Sequence, residues 1–377
     1  MRLGEVAEKL GIEEWRLKGA LERQSVQLIE NFRPRYLIFK KDIAGVERGT
    51  AVFLGNELTV VRGFPKIMRA FYLVPLLRKH FASRVAVEEK MNGYNVRLAL
   101  IEGRLLALTR GGFVCPYTTA KLSGDRNAES FLKEHPELVM CGEAVGEKNP
   151  YVVHRYEEAG DFGFFVFDLR NRESNSAMPV LERNRLLDEY GIKHVRLFGV
   201  YRKEEAAQKI FEVVRRLAGE GREGVVIKDP EMRLPPVKYT SSQTNASDLA
   251  YAFRFPYEYG REFFFSRIIR EGFQAVEWKE GEKELEERAL RLGKSILLPM
   301  VESIKKVKKG EVLTEDYELE FAGEAELEEF LTYLRRQGVS VVVEESERSD
   351  GHLKVVLRRL RHSSTDRIRS VLSGRGE

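Results

Sequence analysis

A lysine stands at the end of an alternating segment, where its amine could act as a nucleophile. Residues 85–90 alternate in the manner of a β-strand and end at Lys90, and Gly93 then turns the chain back. Strand alternation predicts that Glu88 and Lys90 share one face. A lysine amine attacks an electrophile only when it is unprotonated, and the ordinary pKa of lysine is about 10.4. Taken alone, this segment also fits a hairpin that carries a solvated lysine.

Two later strands carry a carboxylate and aromatic rings. Residues 138–145 form an apolar strand with Glu143 near its end, and residues 163–169 form a strand that contains Phe165 and Phe167. A surface carboxylate and plain core aromatics are the simpler interpretation of each strand. Only their combination with the neighbouring segments favours a binding site.

A further carboxylate and two cations follow in order. Three apolar residues lie between Gly224 and Lys228, and Glu223 stands directly before that glycine. Lys238 follows about ten residues later. Each of these segments is common by itself. Their occurrence together, in this order between residues 90 and 240, is uncommon.

Together with Lys90, these segments resemble the covalent nucleotidyltransferase superfamily of DNA ligases, RNA ligases and mRNA capping enzymes. Lys90-Met91-Asn92-Gly93 resembles the nucleophile motif, commonly Lys-x-Asp-Gly. Residues 109–112, Thr-Arg-Gly-Gly, resemble the next motif. The resemblance implies that the Lys90 amine attacks the α-phosphate of ATP, forms lysyl-AMP and releases pyrophosphate.

The finer resemblance is to the archaeal homodimeric ATP-dependent RNA ligases. Asn95 stands five residues after the lysine, where DNA ligases usually have arginine, and no nucleic-acid-binding barrel with a basic terminal motif is evident after Lys238. The implied substrate is single-stranded RNA with 5′-phosphate and 3′-hydroxyl ends, which the enzyme could circularise. The alternatives are a DNA ligase, a capping-type nucleotidyltransferase, or a non-catalytic RNA-binding protein with the same fold.

The resemblance also implies roles for the other residues around ATP. Glu88 would accept a hydrogen bond from the adenine amino group and so select ATP over GTP. Glu143 would hold the ribose hydroxyls. Phe167 would stack on adenine, with Phe165 as the alternative on the same face of a regular strand.

The cations and the metal ligands of the implied site surround the phosphates. Lys238 would bind the α-phosphate, and Lys228 would add positive charge, although a regular strand places Lys228 on the face opposite Glu223. Nearby cations and Mg²⁺ (or Mn²⁺) would favour the neutral amine of Lys90. The implied metal ligand is Glu223, with Asn92 as a second contact. Arg110 and Asn95 would contact phosphate or the RNA 3′ end.

Two positions depart from the superfamily pattern. Asn92 stands where an aspartate is usual, so one carboxylate contact to the metal's water shell is missing. Pro236 stands where a second lysine is often found, which leaves Lys238 as the cation of the last motif. Both changes could slow a step, and neither removes the nucleophile.

Changes in the residue pattern along the chain divide it into four modules. The mixture of short strands and helices predicts an α+β fold with mixed, mainly antiparallel sheets. The predicted modules are an N-terminal α+β module (1–63), an adenylylation domain (64–247), a helical dimerisation domain (248–314) and a small α+β domain (315–377). A helix-turn-helix at the N-terminus is a weaker alternative. The last module is predicted to contain a turn at Ser349-Asp350-Gly351 and a basic run that could follow an RNA backbone: Lys354, Arg358, Arg359, Arg361, Arg367 and Arg369.

The overall composition favours a soluble, cytoplasmic protein. The 63 basic and 59 acidic residues give a net charge of only +4, so any surface that binds a polyanion must be local. Cys115 and Cys141 show no metal-binding spacing and suit a reducing compartment. We expect no signal peptide and no membrane span. The high charged fraction of 32% with few glutamines favours a heat-adapted source.

Overall fold

The computed structural model describes residues 2–349 and 351–375, so Asp350 of the predicted turn lies outside the described residues. The described residues form twelve helices and sixteen strands in four sheets. This confirms the predicted α+β class with mainly antiparallel sheets. No helix among them is both long enough and apolar enough to cross a bilayer.

The elements alternate irregularly along the chain, as the predicted fold class requires. The helices are α1 (Leu3–Leu10), α2 (Glu14–Glu22), α3 (Leu73–His80), α4 (Pro116–Leu122), α5 (Arg126–Glu134), α6 (Val180–Glu189), α7 (Lys203–Gly219), α8 (Ser242–Arg254), α9 (Arg261–Glu277), α10 (Glu282–Lys308), α11 (Glu324–Arg336) and α12 (His362–Leu372). The strands are β1 (Val26–Ile29), β2 (Tyr36–Phe39), β3 (Ala51–Leu54), β4 (Leu58–Val61), β5 (Met68–Arg69), β6 (Arg84–Lys90), β7 (Tyr94–Ile101), β8 (Arg104–Thr109), β9 (Leu138–Val145), β10 (Gly163–Asn171), β11 (Leu197–Arg202), β12 (Gly224–Lys228), β13 (Val237–Thr240), β14 (Thr314–Phe321), β15 (Val341–Ser349) and β16 (His352–Leu360).

The chain divides into two compact units. The first comprises Met1–Lys66, Asn92–Val195 and Phe321–Tyr333, and the second comprises Ile67–Met91, Arg196–Glu320 and Leu334–Glu377. The chain therefore passes from one unit to the other directly after the Lys90-Met91 pair. The bounds of the four predicted modules stay a prediction.

The first unit contains two four-stranded sheets. In one, the strands lie in the order β1-β2-β3-β4, and α1 and α2 pack their apolar side chains, including Val6 and Leu17, against it. In the other, the order is β10-β9-β7-β8. One face of that sheet packs Val96, Leu98 and Met140 into a core with α5 and α6. Because side chains alternate along a strand, the residues between them face the other way.

The second unit contains a five-stranded sheet in the order β11-β6-β12-β13-β5. One face of it is a core, formed with α3 and α7, that contains Val85, Val87, Val225, Ile227 and Val237. Every second residue of β6, β12 and β13 therefore belongs to the opposite face. That face carries the polar residues of the predicted site.

The C-terminal part of the second unit contains the sheet β14-β16-β15 and α12. Two residues of the predicted basic run form ion pairs with carboxylates of the protein itself. Arg361 is buried and donates to Glu315 at 2.5 Å, and Arg358 makes a two-point ion pair with Asp316 at 2.8 Å. A continuous basic track over all six residues is therefore wrong for these two arginines, because carboxylates of β14 neutralise them.

Candidate active site

Lys90 ends β6 and forms an ion pair with Glu223. Its ammonium donates to Glu223 Oε2 at 2.5 Å, and only 22% of the lysine side chain and 11% of the glutamate side chain are exposed. In the sheet register Lys90 lies opposite Gly224 of β12. The nucleophile predicted from the sequence therefore lies at a strand end, held by the carboxylate predicted to bind metal.

Gly224 explains how Glu223 reaches that lysine. Its φ is 149°, a backbone conformation that side chains disfavour, and a Cβ built on it would lie 2.5 Å from the carbonyl oxygen of Tyr239. Strand alternation is therefore interrupted at the first residue of β12. The expected separation of Glu223 and Lys228 onto opposite faces is wrong, because both contact side chains on the same face of β6.

Lys228 forms the second ion pair of this face, with Glu88. Its ammonium donates to Glu88 Oε2 at 2.6 Å, and the two side chains are 2% and 1% exposed. Glu88 and Lys90 are two residues apart on β6, so their common face agrees with the expected alternation. Glu88, which is predicted to bind the adenine amino group, is thus also the ion-pair partner of Lys228. The sequence did not predict this pair.

Lys238 lies on β13, in register with Val226 of β12, and α9 holds the residues that follow it. Gln274 donates to the carbonyl of Thr240 at 3.1 Å, and Arg270 donates to the carbonyl of Ser241 at 2.9 Å. Burial lowers the pKa of Arg270 to about 10. The helical segment predicted for dimerisation therefore also fixes the strand end beside Lys238.

In the first unit, three predicted residues form a row across the sheet. Asn95 on β7 pairs in register with Glu143 on β9, and Glu143 pairs with Phe165 on β10. All three belong to the face opposite the core of that sheet. The Oδ1 atom of Asn95 is buried without a hydrogen-bond partner among the described residues, so the side chain can still accept from a ligand.

Phe167 lies at a β-bulge. The register of β10 against β9 shifts between Val166 and Asp168, which leaves Phe167 as the extra residue. Its half-exposed ring meets Phe64 edge-on, with centroids 5.2 Å apart. The bulge interrupts the regular alternation at Phe167, so the expectation that Phe165 and Phe167 share a face stays a prediction.

The residues after the nucleophile turn tightly. The backbone N–H of Asn92 donates to the Tyr156 hydroxyl at 2.7 Å, and a Cβ on Gly93 would lie 2.2 Å from the carbonyl oxygen of Ala144. Only glycine fits so close to a neighbouring backbone. This explains the predicted glycine in the nucleophile motif by steric contact rather than by turn geometry alone.

Arg110 is exposed in the loop that follows β8, and Arg97 lies beneath that loop. Arg97 donates to the carbonyls of Thr109 at 2.7 Å, Gly49 at 2.9 Å and Arg62 at 2.6 Å. Burial lowers the pKa of Arg97 to about 10. The N-terminal sheet and the predicted motif loop are thus joined by one buried guanidinium, which sequence reasoning missed.

The two predicted metal ligands, Glu223 and Asn92, lie in different compact units. The described residues contain no cluster of three or more His, Cys, Asp or Glu side chains that could hold a metal by themselves. A site with one carboxylate suits Mg²⁺, which is usually bound through one or two carboxylates together with substrate phosphates. Cys115 and Cys141 are buried and form no disulfide with each other, and burial raises the pKa of Cys115.

Comparisons with known proteins agree with this arrangement. Residues 83–240 match the family model "RNA ligase", and residues 251–375 match "Ligase Pab1020 C-terminal region". Two solved forms of an archaeal ATP-dependent RNA ligase are 48% identical and match over 100% of both chains, with TM-scores of 0.93 and 0.95.

Two further relatives span nearly the whole chain. An uncharacterised protein of Methanocaldococcus jannaschii is 41% identical over 99% of this chain and 96% of its own length. A proposed ATP-dependent DNA ligase from Aquifex aeolicus is 29% identical over 97% of this chain and 100% of its own, with a TM-score of 0.88. The order of the motif residues and these similarities confirm the predicted family and enzyme class: the chain belongs to the RNA ligase family, together with the archaeal ATP-dependent RNA ligase.

Proposed function

We propose that the protein joins the 5′-phosphate and 3′-hydroxyl ends of single-stranded RNA at the expense of ATP. Lys90 would form a phosphoramidate bond to AMP and release pyrophosphate. AMP would then pass to the RNA 5′-phosphate as a phosphoanhydride, and the 3′-hydroxyl would displace AMP to seal the strand. The observation that carries the proposal is the contact between the Lys90 ammonium and Glu223 at 2.5 Å.

This ion pair suits a resting state. A carboxylate in contact with an ammonium favours the protonated amine, which is not a nucleophile. Glu223, with Asn92 as a further contact, would hold a divalent cation, Mg²⁺ or Mn²⁺, which would neutralise phosphate charge. A cation bound to Glu223 would take the place of the Lys90 ammonium as the partner of this carboxylate. The same carboxylate would then serve both the resting lysine and the metal.

Lys228 and Lys238 would supply positive charge to the reacting phosphate. Both lie on the face of the five-stranded sheet that carries Lys90, because their strand positions have the same parity in register. Fixed cations that face a developing negative charge need not reorganise during the reaction. Glu88, in contact with Lys228, would in addition accept a hydrogen bond from the adenine amino group.

The remaining predicted residues would supply further contacts to the substrates. Glu143 would hold the ribose, and Phe167, with its ring half exposed, would stack on adenine more readily than the buried Phe165. Asn95, whose side-chain oxygen has no partner among the described residues, and Arg110 would contact phosphate or the RNA 3′ end. These roles rest on the family resemblance and on the accessibility of each side chain.

The exposed apolar face of α9 and α10 favours a homodimer. Phe265 is 66% exposed and Val276 is 69% exposed on α9, and Leu290 and Leu297 are 59% and 55% exposed on α10. Large apolar side chains exposed on two successive helices are candidates for burial against a partner. A second copy of the chain is the partner that the sequence predicted.

Labelling with α-³²P ATP tests the proposal. The wild-type protein should acquire acid-labile label that Lys90→Ala abolishes and that 5′-phosphorylated RNA discharges into circles or joined strands. A parallel incubation with nicked DNA tests the alternative that the relative from Aquifex aeolicus suggests. A wild-type protein that never takes up label would contradict the proposal and favour a non-catalytic RNA-binding protein.

A further inference from the structure

Arg69 lies in line with the residues of the proposed site, although no motif includes it. It belongs to the two-residue strand β5, which pairs in parallel with β13, so that Arg69 stands in register with Lys238. Lys238 is in register with Val226, and Val226 with Glu88. Residues in register on neighbouring strands share a face. Arg69 therefore extends the row of the site by one strand beyond Lys238.

The Arg69 guanidinium lies among charged groups and is half-buried. Burial lowers its pKa, and Arg267 contributes in the same direction, whereas Asp248 and Glu223 oppose the shift. Glu223 is also the ion-pair partner of Lys90. Arg69 is thus within electrostatic range of the carboxylate that holds the nucleophile.

Arg69 differs from Arg267 and Arg270, whose guanidinium groups donate hydrogen bonds to other residues of the protein. Arg270 donates to Thr240 and Ser241, and Arg267 donates twice to Asp248. In the part of the chain that the structure describes, the Arg69 side chain makes no hydrogen bond and no ion pair. Five donors on a half-buried cation without a protein partner suit a ligand with several acceptor oxygens.

We propose that Arg69 binds a phosphate group that flanks the α-phosphate of AMP during the reaction. This inference rests on the proposed function. Planar guanidinium groups bind phosphate oxygens through two parallel hydrogen bonds. The phosphate can come from two sources, the departing pyrophosphate of ATP or the 5′-phosphate of the RNA. Arg69 would be a substrate-binding residue of the second unit that the sequence motifs omit.

The experiment compares Arg69→Met and Arg69→Lys with wild type in three separate reactions. These are formation of lysyl-AMP from ATP, transfer of AMP from isolated lysyl-enzyme to 5′-phosphorylated RNA, and sealing of RNA adenylylated in advance. Arg84→Met is the matched control, because Arg84 is an exposed cation of the same sheet at the start of β6, the strand that ends at Lys90. Apparent Tm is measured for every variant.

If the phosphate belongs to ATP, Arg69→Met should raise the KM for ATP in the first reaction at least about 10-fold. If it belongs to RNA, the same loss should occur in the second reaction with the first unchanged. Sealing should change least in both cases, and Arg69→Lys should restore part of the loss. Rates within twofold of wild type in all three reactions overturn the inference, as do equal losses in all three with a lowered Tm. Failure of wild type to form lysyl-AMP would instead reject the proposed function.

Discussion

The ammonium of Lys228 and the carboxylate of Glu88 lie 2.6 Å apart, and water reaches almost none of either side chain. Two strands of one sheet thus hold opposite charges in contact beside the proposed nucleotide site. A buried pair of this kind is costly to break, because the remaining partner is an uncompensated charge away from water. Their removal together is far less costly.

We therefore expect Lys228→Met to destabilise the protein by about 3–5 kcal/mol. Glu88→Leu combined with Lys228→Met should recover most of that loss. Differential scanning fluorimetry would report the change as a lowered Tm for the single variant and a partly restored Tm for the double variant. Equal Tm values for the two variants would show that the uncompensated carboxylate of Glu88 does not cause the loss. Both variants should label poorly with ATP if the two charges also serve the nucleotide.

We expect that any side chain at Gly224 reduces the activity of the protein. Gly224→Ala places a Cβ 2.5 Å from a backbone oxygen of β13 at a φ of 149°, so the strand start must move and Glu223 must move with it. Strain at such positions costs about 1–3 kcal/mol. We expect lysyl-AMP formation to fall sharply, with a lower Tm. Gly219→Ala is the control, since nothing lies within 4 Å of the added Cβ, and it should leave labelling unchanged.

The exposed apolar face predicts a change in molecular mass on substitution. Phe265→Asp combined with Val276→Asp places two charges on the outer face of α9, where both residues are largely exposed. Light scattering coupled to gel filtration should show a dimer for wild type and a monomer for the variant. Trp15→Asp is the control, because Trp15 is 65% exposed on α2. A wild type that elutes as a monomer at micromolar concentration would contradict the homodimer.

The buried thiols should resist modification. Burial raises the pKa of Cys115 above its ordinary value of 9.0, so the reactive thiolate forms only at still higher pH. At pH 8 the folded protein should therefore react with Ellman's reagent at neither cysteine within minutes. Both should react after denaturation in guanidinium chloride. Rapid labelling of the native protein would show that this region opens readily.

The sequence predicted the parts of the site that depend on periodicity. Glu88 and Lys90 share a face because β6 is regular, and Asn95, Glu143 and Phe165 lie on strands that pair in register. Periodicity failed where the backbone departs from a regular strand. The positive φ at Gly224 places Glu223 on the face of Lys90, and the bulge at Phe167 interrupts the alternation of β10.

Other features could not be predicted because they depend on contacts distant in the chain. Arg97 donates hydrogen bonds to the carbonyls of residues 49 and 62, and Arg270 donates to residues 240 and 241. In the sequence, neither arginine can be distinguished from an ordinary surface charge. Arg69 was missed because a strand of two residues has no detectable period. A motif search finds the residues of a reaction, and it cannot find the arginines that hold those residues in place.

The five-stranded sheet has hydrocarbon on one side and ionised groups on the other. A comprehensive substitution scan along β6 and β12 should therefore alternate with a period of two. Changes at Val85, Val87 and Val225 would reduce the amount of folded protein, whereas changes at Lys90 would leave a well-folded but inactive chain. Two tolerance maps, one for abundance and one for activity, would be shifted from each other by a single residue, except at Glu88 and Lys228, whose buried ion pair places them in both maps.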